Sequence, residues 1–75
     1  MGVLRQMTGK HGDRNVLRWG TSAREIAAAR QMFDTYRAQG FDLYRLTADE
    51  ERGAPITEFD PGAPGILAVP RMEGG

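Results

Sequence analysis

Residues 21–40 hold the one apolar pattern in this chain that is long and regular enough to predict an α-helix. Apolar residues recur there every three or four positions, the spacing that places side chains on one side of a helix. They are Ile26, Ala29, Phe33 and Tyr36, with Met32 at the edge of the stripe. The stripe needs a partner surface, and because no second helical pattern exists in the sequence, that partner is predicted to be a β-sheet. The sequence therefore predicts an α+β domain.

Both ends of the predicted helix carry recognisable signals. Ser22-Ala23-Arg24-Glu25 fits a capping box, in which the Ser22 hydroxyl accepts from the Glu25 amide and the Glu25 carboxylate accepts from the Ser22 amide. Gly40 fits the left-handed residue that commonly follows the last turn of a helix. We therefore expect the helix to occupy residues 22–39.

Before the helix, two short apolar runs predict an N-terminal hairpin. Residues 3–7 and 15–19 are separated by Gly9-Lys10-His11-Gly12-Asp13, which is a strong turn signal. In the second run, Leu17 and Trp19 are predicted to point to one side, with Val16 and Arg18 on the other.

After the helix, three further runs favour strands. Residues 41–47 alternate in parts, residues 55–60 carry Ile56 and Phe59 in a short strand, and residues 49–53 between them form a charged surface loop. Residues 66–69 are uniformly apolar, as in a central strand, and Pro70 ends the strand because it has no amide hydrogen. The predicted core contains Leu17, Trp19, Ile26, Phe33, Leu43, Leu67 and Val69.

Composition narrows the classes of function. The chain has 75 residues, with ten basic residues balanced by ten acidic ones, so net charge does not favour nucleic acid or membrane partners. Cysteine is absent, which excludes disulfides, a thiolate nucleophile and cysteine zinc sites. The start of the sequence does not resemble a signal peptide, and we expect a cytoplasmic protein whose partners are other proteins.

No catalytic or cofactor site can be assembled from these residues. His11 is the only histidine and is interpreted as a turn residue, and Gly9-Lys10-His11-Gly12 lacks the spacing of a phosphate-binding loop. Asp49, Glu50 and Glu51 are consecutive and lack the spaced pattern of a calcium loop, so they favour a solvated surface. We predict that the protein is not an enzyme and has no metal or cofactor.

The C-terminal residues carry the most specific signal. After the apolar run and Pro70, the printed sequence ends in Arg71-Met72-Glu73-Gly74-Gly75. Glycine has no side chain, so such a segment is predicted to be a flexible arm that can enter a narrow enzymatic channel.

The order of hairpin, helix, strand, short strand, last strand and diglycine resembles the β-grasp fold of ubiquitin-like proteins. The resemblance implies a domain over residues 1–70, a tail over residues 71–75, and a mixed sheet with one helix packed across it. It also implies that an E1-like adenylating enzyme activates the chain at Gly74 and Gly75, with Arg71 and Met72 recognised in the tail. Further partners would be an E2-like enzyme or a JAB-type protease. Pro70 departs from the family, whose last strand has no proline there.

The resemblance leaves the chemistry of the product open. The activated glycine would form an isopeptide with a lysine or become a thiocarboxylate for sulfur transfer. Lys10 is the only lysine and would be the only side-chain amine on which chains of this protein could grow. The alternative function is a non-covalent protein-binding module, of mobile-element or phage type, in which the diglycine is incidental.

Overall fold

A computed structural model describes residues 2–7 and 13–71 of the chain, and it contains five strands and one helix in these residues. The elements are β1 (Gly2–Met7), β2 (Asp13–Trp19), α1 (Ala23–Ala38), β3 (Asp42–Leu46), β4 (Arg52–Pro55) and β5 (Gly65–Val69).

The five strands form one mixed sheet in the order β2-β1-β5-β3-β4. Strand β1 pairs antiparallel with β2 and parallel with β5, and β3 pairs antiparallel with both β5 and β4. The apolar run that predicted a central strand thus lies at the middle of the sheet. The predicted α+β class, a β-grasp-like mixed sheet with one helix across it, is confirmed.

The helix buries the side that the apolar spacing predicted. Ala29 and Phe33 are fully buried, Tyr36 is nearly so, and the partly buried Ile26 and Met32 pack against the same core. The opposite side of α1 is exposed. This agreement follows from the 3.6-residue period, which fixes which residues share a side before any tertiary contact forms.

The predicted capping box at the start of α1 is wrong. The Ser22 side chain forms no capping hydrogen bond, although its backbone is extended and its carbonyl oxygen accepts from the Ile26 amide at 3.0 Å. The Glu25 carboxylate instead accepts from the Gly20 amide, also at 3.0 Å. The short connection from β2 brings Gly20 within reach of this carboxylate, which therefore satisfies a donor two residues before the predicted one.

The end of α1 follows the glycine signal. Gly40 has a φ of 88°, its amide donates to the Arg37 carbonyl at 3.0 Å, and the Phe41 amide donates to the Tyr36 carbonyl at 3.0 Å. The rings of Phe41 and Tyr36 also contact each other, with centroids 4.8 Å apart. Two nested hydrogen bonds and an apolar contact across a left-handed residue define a Schellman motif. This motif directs the chain into β3.

We expect Gly40→Ala to lower the free energy of unfolding by about 1 kcal/mol, because a side chain disfavours the left-handed backbone. A Cβ at this position would have no atom within 4 Å, so the cost comes from the backbone and not from a clash. Chemical denaturation of the two proteins measures it. Gly40→Asn is the matched control and should lose less, since asparagine tolerates this conformation. Equal losses for alanine and asparagine would contradict this explanation.

The predicted N-terminal hairpin is present, but its alternation is interrupted. Leu4 pairs with Leu17, and the next pair is Arg5 with Asn15, so Val16 is the extra residue of a β-bulge. Val16 is partly buried and packs against the core, instead of sharing the outer side of the strand with Arg18. A bulge of this kind has no clear sequence signal here.

The predicted strand over residues 55–60 is wrong. The strand is Arg52–Pro55, which includes part of the predicted surface loop, and the chain then continues in turns. Phe59 lies in that segment and contacts the rings of Trp19 and Phe33, with centroid distances of 5.1 and 6.0 Å. The Trp19 indole also donates to the Pro61 carbonyl at 3.0 Å. Phe59 therefore closes the end of the core instead of pairing in the sheet, whereas the Ile56 amide still donates to the Leu43 carbonyl of β3 at 2.9 Å.

Most of the predicted core is confirmed. Trp19, Phe33 and Leu43 belong to the buried cluster between helix and sheet, and Leu17 and Ile26 pack against it while partly buried. Leu67 is also buried, with only 4% of it exposed, but it lies on the sheet face away from α1. Val69 differs from the prediction: it shares that outer face, two residues further along β5, and it is only partly buried.

Candidate functional site

Four of the predicted site residues lie outside the described part of the chain. They are Lys10, Met72, Gly74 and Gly75. Of the predicted site, Arg71 is described, and it marks where the chain leaves the sheet. The turn residues around His11 also lie outside the described ranges.

Arg71 is held beside the start of β3. Its guanidinium donates to the Asp42 carboxylate at 2.8 Å, and Asp42 pairs in register with Val69, two residues before Arg71. The side chains of Arg71 and Asp42 are 64% and 38% exposed, so the pair contributes less than about 1 kcal/mol to folding. The first residue of the predicted tail therefore takes part in an exposed ion pair with the start of β3.

A surface pocket of about 360 Å³ lies next to Arg71. The end of α1 contributes Arg37, the middle of β3 contributes Tyr44, and the segment after β4 contributes Ile56. The pocket combines guanidinium donors with aromatic and aliphatic surface, which suits contact with a polypeptide. Its position places any partner bound there next to the residue from which the tail continues.

Among the residues that the structure describes, no helix covers the sheet face opposite α1, and its apolar residues are covered by charged and aromatic side chains. Leu46 and Leu67 on this face are 3% and 4% exposed. Arg5 of β1 forms an ion pair with Glu50, and Arg5 is paired in register with Leu67. This face is therefore polar at its surface, although its floor is apolar.

Tyr44 lies on the same face, in register with Leu67 on the side opposite Arg5. The guanidinium of Arg52 stacks over the Tyr44 ring at 5.1 Å from the centroid, a cation–π contact. Arg5 of β1 and Arg52 of the edge strand β4 therefore lie on either side of Leu67 on this face.

The ion pair between Arg5 and Glu50 depends on an unusual backbone conformation. Glu50 has a φ of 63°, a value that L-residues rarely adopt. Its amide donates to the Thr47 carbonyl at 2.9 Å, and the Thr47 amide donates to the Glu51 carbonyl at 2.8 Å, which closes the turn between β3 and β4. Asp49, Glu50 and Glu51 are all exposed, as predicted for a solvated charged run, and the turn also brings the Glu50 carboxylate to Arg5.

Neither a metal cluster nor a membrane-spanning helix is found in the described residues. Within residues 2–7 and 13–71, no three metal-ligating side chains of His, Cys, Asp or Glu come together. Over the same ranges, no helix has the length and apolar character needed to span a lipid bilayer.

Comparisons of the chain with protein-family models, with curated proteins and with solved structures find no match. The features that bear on function are therefore the sheet order, the position of Arg71 and the charged sheet face.

Proposed function

We propose that the protein is a small ubiquitin-like modifier or sulfur carrier that an E1-like enzyme activates at the carboxylate of Gly75. The observation that carries the proposal is the path of the last strand. Strand β5 lies at the centre of a β-grasp-like sheet, and the chain leaves it through Pro70 and the exposed Arg71 toward the diglycine. A rigid domain would thus present its final residues on a short arm.

The proposed chemistry needs only a carboxylate and an unobstructed approach. The Gly75 carboxylate attacks the α-phosphate of ATP, pyrophosphate leaves, and an acyl-adenylate forms. An enzyme thiol then displaces AMP to form a thioester, and a lysine amine displaces that thiol to form an isopeptide. Alternatively, a hydrosulfide-level sulfur donor displaces AMP to form a thiocarboxylate. Gly74 and Gly75 have no side chains, so the end of the chain can fit a channel that larger residues would block. This chain acts as the substrate of activation and not as an enzyme.

The ion pair between Arg71 and Asp42 supports a mode of binding in which a carboxylate of the partner enzyme replaces that of Asp42. An exposed ion pair of this kind is worth little in water, so an enzyme that offers its own carboxylate to Arg71 loses little by replacing Asp42. The adjacent 360 Å³ pocket offers surface for the same enzyme, in addition to the tail itself.

One observation favours the alternative, a non-covalent binding module. The outer sheet face carries arginines on both sides of a covered apolar floor, and such a face can bind a partner without any use of the tail. The two functions predict different fates for Gly75, and this difference can be measured.

The test uses the full chain with an N-terminal tag, expressed in its source organism. Extracts are separated under denaturing and reducing conditions and blotted for the tag, and the free protein is treated with a thiol-alkylating reagent. The proposal predicts slower bands that survive reduction, or a free form that is alkylated although the sequence contains no cysteine. Only unmodified, non-alkylated protein would favour the binding module.

We expect Lys10→Arg to remove any ladder of multiply modified species while single conjugates remain. Lys10 is the only lysine, and arginine keeps the charge but offers no acceptor amine because its guanidinium stays protonated. The tagged blot measures the ladder, with Arg24→Lys as the reciprocal control that adds an exposed amine on α1. A ladder unchanged by Lys10→Arg would show that chains do not grow through this side chain.

A further inference from the structure

Two arginines flank a pocket on the outer sheet face, at the edge formed by β1 and β2. The pocket measures about 230 Å³, and its wall includes Arg5, Arg18 and Glu50, with Val3 and Pro64 as apolar lining. Arg18 pairs in register with Val3, and Arg5 lies two residues further along β1, so both guanidinium groups belong to one side of the sheet. The pocket lies beside the start of β5, where Val3 pairs with Gly65, whereas the tail leaves from the other end of that strand.

Arg5 is held in a fixed orientation. Its Nε donates to the Asn15 side-chain oxygen at 3.1 Å, and its Nη2 donates to the Glu50 carboxylate. The side chain is only 21% exposed, which is low for an arginine on a face that no helix covers. Two donors of the Arg5 guanidinium are therefore used to hold it in place. Because the Arg5 side chain is already ordered, binding of a ligand costs little additional side-chain entropy.

Arg18 has no such partners. It is exposed on the edge strand β2 and forms no hydrogen bond, ion pair or ring contact with the residues that the structure describes. The pocket thus holds two guanidinium groups and one carboxylate, which leaves a surplus of one positive charge. An arginine binds a carboxylate through two parallel hydrogen bonds when the ligand can lie in its plane.

We propose that this pocket binds a glutamate or aspartate side chain from an acidic segment of a partner protein. The incoming carboxylate pairs with Arg18 and lies beside Arg5, while its methylene groups contact Val3 and Pro64. The surplus of one charge matches one carboxylate. This proposal does not depend on the use of Gly75.

The same charges argue for a protein partner in place of nucleic acid. Glu50 lines the pocket and repels a run of phosphates, and the zero net charge of the chain gives no long-range attraction to a polyanion. A single carboxylate on a protein segment can pair with Arg18 without placing further negative charges beside Glu50, and its binding does not require long-range attraction.

The test is a titration of the ¹⁵N-labelled full chain at low salt, monitored by NMR of backbone amides and arginine Nε–H groups. The probe is a capped eight-residue peptide of alternating Glu and Val, and the matched peptide has Gln in place of each Glu. We expect saturable shifts at Arg5 and Arg18 with the Glu peptide only. Arg18→Gln should weaken binding about tenfold, as expected for the loss of a charge-assisted bidentate contact.

Arg24→Gln is the control variant, because Arg24 is also an exposed arginine but lies on α1, away from the pocket. It should leave the affinity unchanged. Arg18→Lys keeps the charge and loses the planar fork, so it should give an intermediate affinity. If Arg18→Gln fails to fold, two other measurements test the role of Arg18. They are the shift of the wild-type Arg18 Nε–H on addition of the Glu peptide and the affinity of Arg18→Lys for that peptide.

Four results would overturn the proposal. They are the absence of saturable shifts, equal binding of the Gln peptide, equal weakening by Arg24→Gln, and tighter binding at the same residues by an eight-nucleotide oligothymidylate. The last result would assign the pocket to nucleic acid.

Discussion

Replacement of Phe33 by alanine is expected to lower the free energy of unfolding by about 3 to 5 kcal/mol. Phe33 is fully buried at the centre of the apolar side of α1, and its ring packs edge-on against that of Phe59, with the ring centroids 6.0 Å apart. The cost combines the lost burial of the ring with the cavity left between helix and sheet. The free energy of unfolding of a domain is about 0.05 to 0.15 kcal/mol per residue, which gives roughly 4 to 11 kcal/mol for a chain of this length. The variant should therefore be close to unfolding.

Thermal and urea unfolding, monitored by circular dichroism, measure this loss. Gln31→Ala is the matched control, since Gln31 is exposed on the same helix and alanine favours helix formation. It should leave the melting temperature unchanged or raise it slightly. A Phe33→Ala protein that melts together with the wild type would contradict the packing of α1 on the sheet.

Deletion of Gly75 is expected to remove every conjugated or thiocarboxylated form of the protein while the fold stays intact. The proposed acyl-adenylate forms on the last carboxylate, and without Gly75 that group is displaced by one residue from the position where the enzyme would act. Gly74→Val keeps the length but adds a branched side chain, and it should have the same effect by steric exclusion. Both positions follow the last paired residue of β5, Val69, so the unfolding transition should be unchanged.

The tagged blot and the unfolding transition together measure this prediction. Gln31→Ala again serves as the control, because it changes an exposed residue of the domain and leaves the tail as it is. Conjugates that persist in the Gly75 deletion would show that the terminal carboxylate is not the group that reacts.

The sequence predicted the parts of the fold that depend on local periodicity. The stripe from Ile26 to Tyr36 specified which side of α1 is buried, and the uniformly apolar run specified β5 as a central strand. The predicted position of β4 was wrong because apolar residues indicate which side chains are buried and not which backbone segments pair in a sheet. Phe59 is used to cover Trp19 and Phe33, while Arg52 and Gly53 form the strand through backbone hydrogen bonds that composition does not reveal.

The contacts of the candidate sites depend on pairing between strands distant in the sequence. Arg71 meets Asp42 across 29 residues, and Arg5 meets Glu50 across 45 residues. Alternation in β2 predicted that Trp19 and Arg18 lie on opposite sides, but it failed at Val16 because of the bulge. The neighbours across the sheet were set only by the parallel pairing of β1 with β5 and by the antiparallel pairing of β5 with β3. The left-handed conformation of Glu50 had no glycine or asparagine to indicate it.

The most direct test of the central claim, the reaction of Gly75, is mass spectrometry of tryptic peptides from the source organism. Trypsin cleaves after Arg71, so an acceptor lysine would carry the remnant Met72-Glu73-Gly74-Gly75 in place of a bare diglycine. We predict that this remnant is found on lysines of other proteins, or that the free C-terminal peptide ends in a thiocarboxylate. The result that would contradict the account is a C-terminal peptide found only with a free carboxylate at Gly75, or a mature chain that ends at another residue.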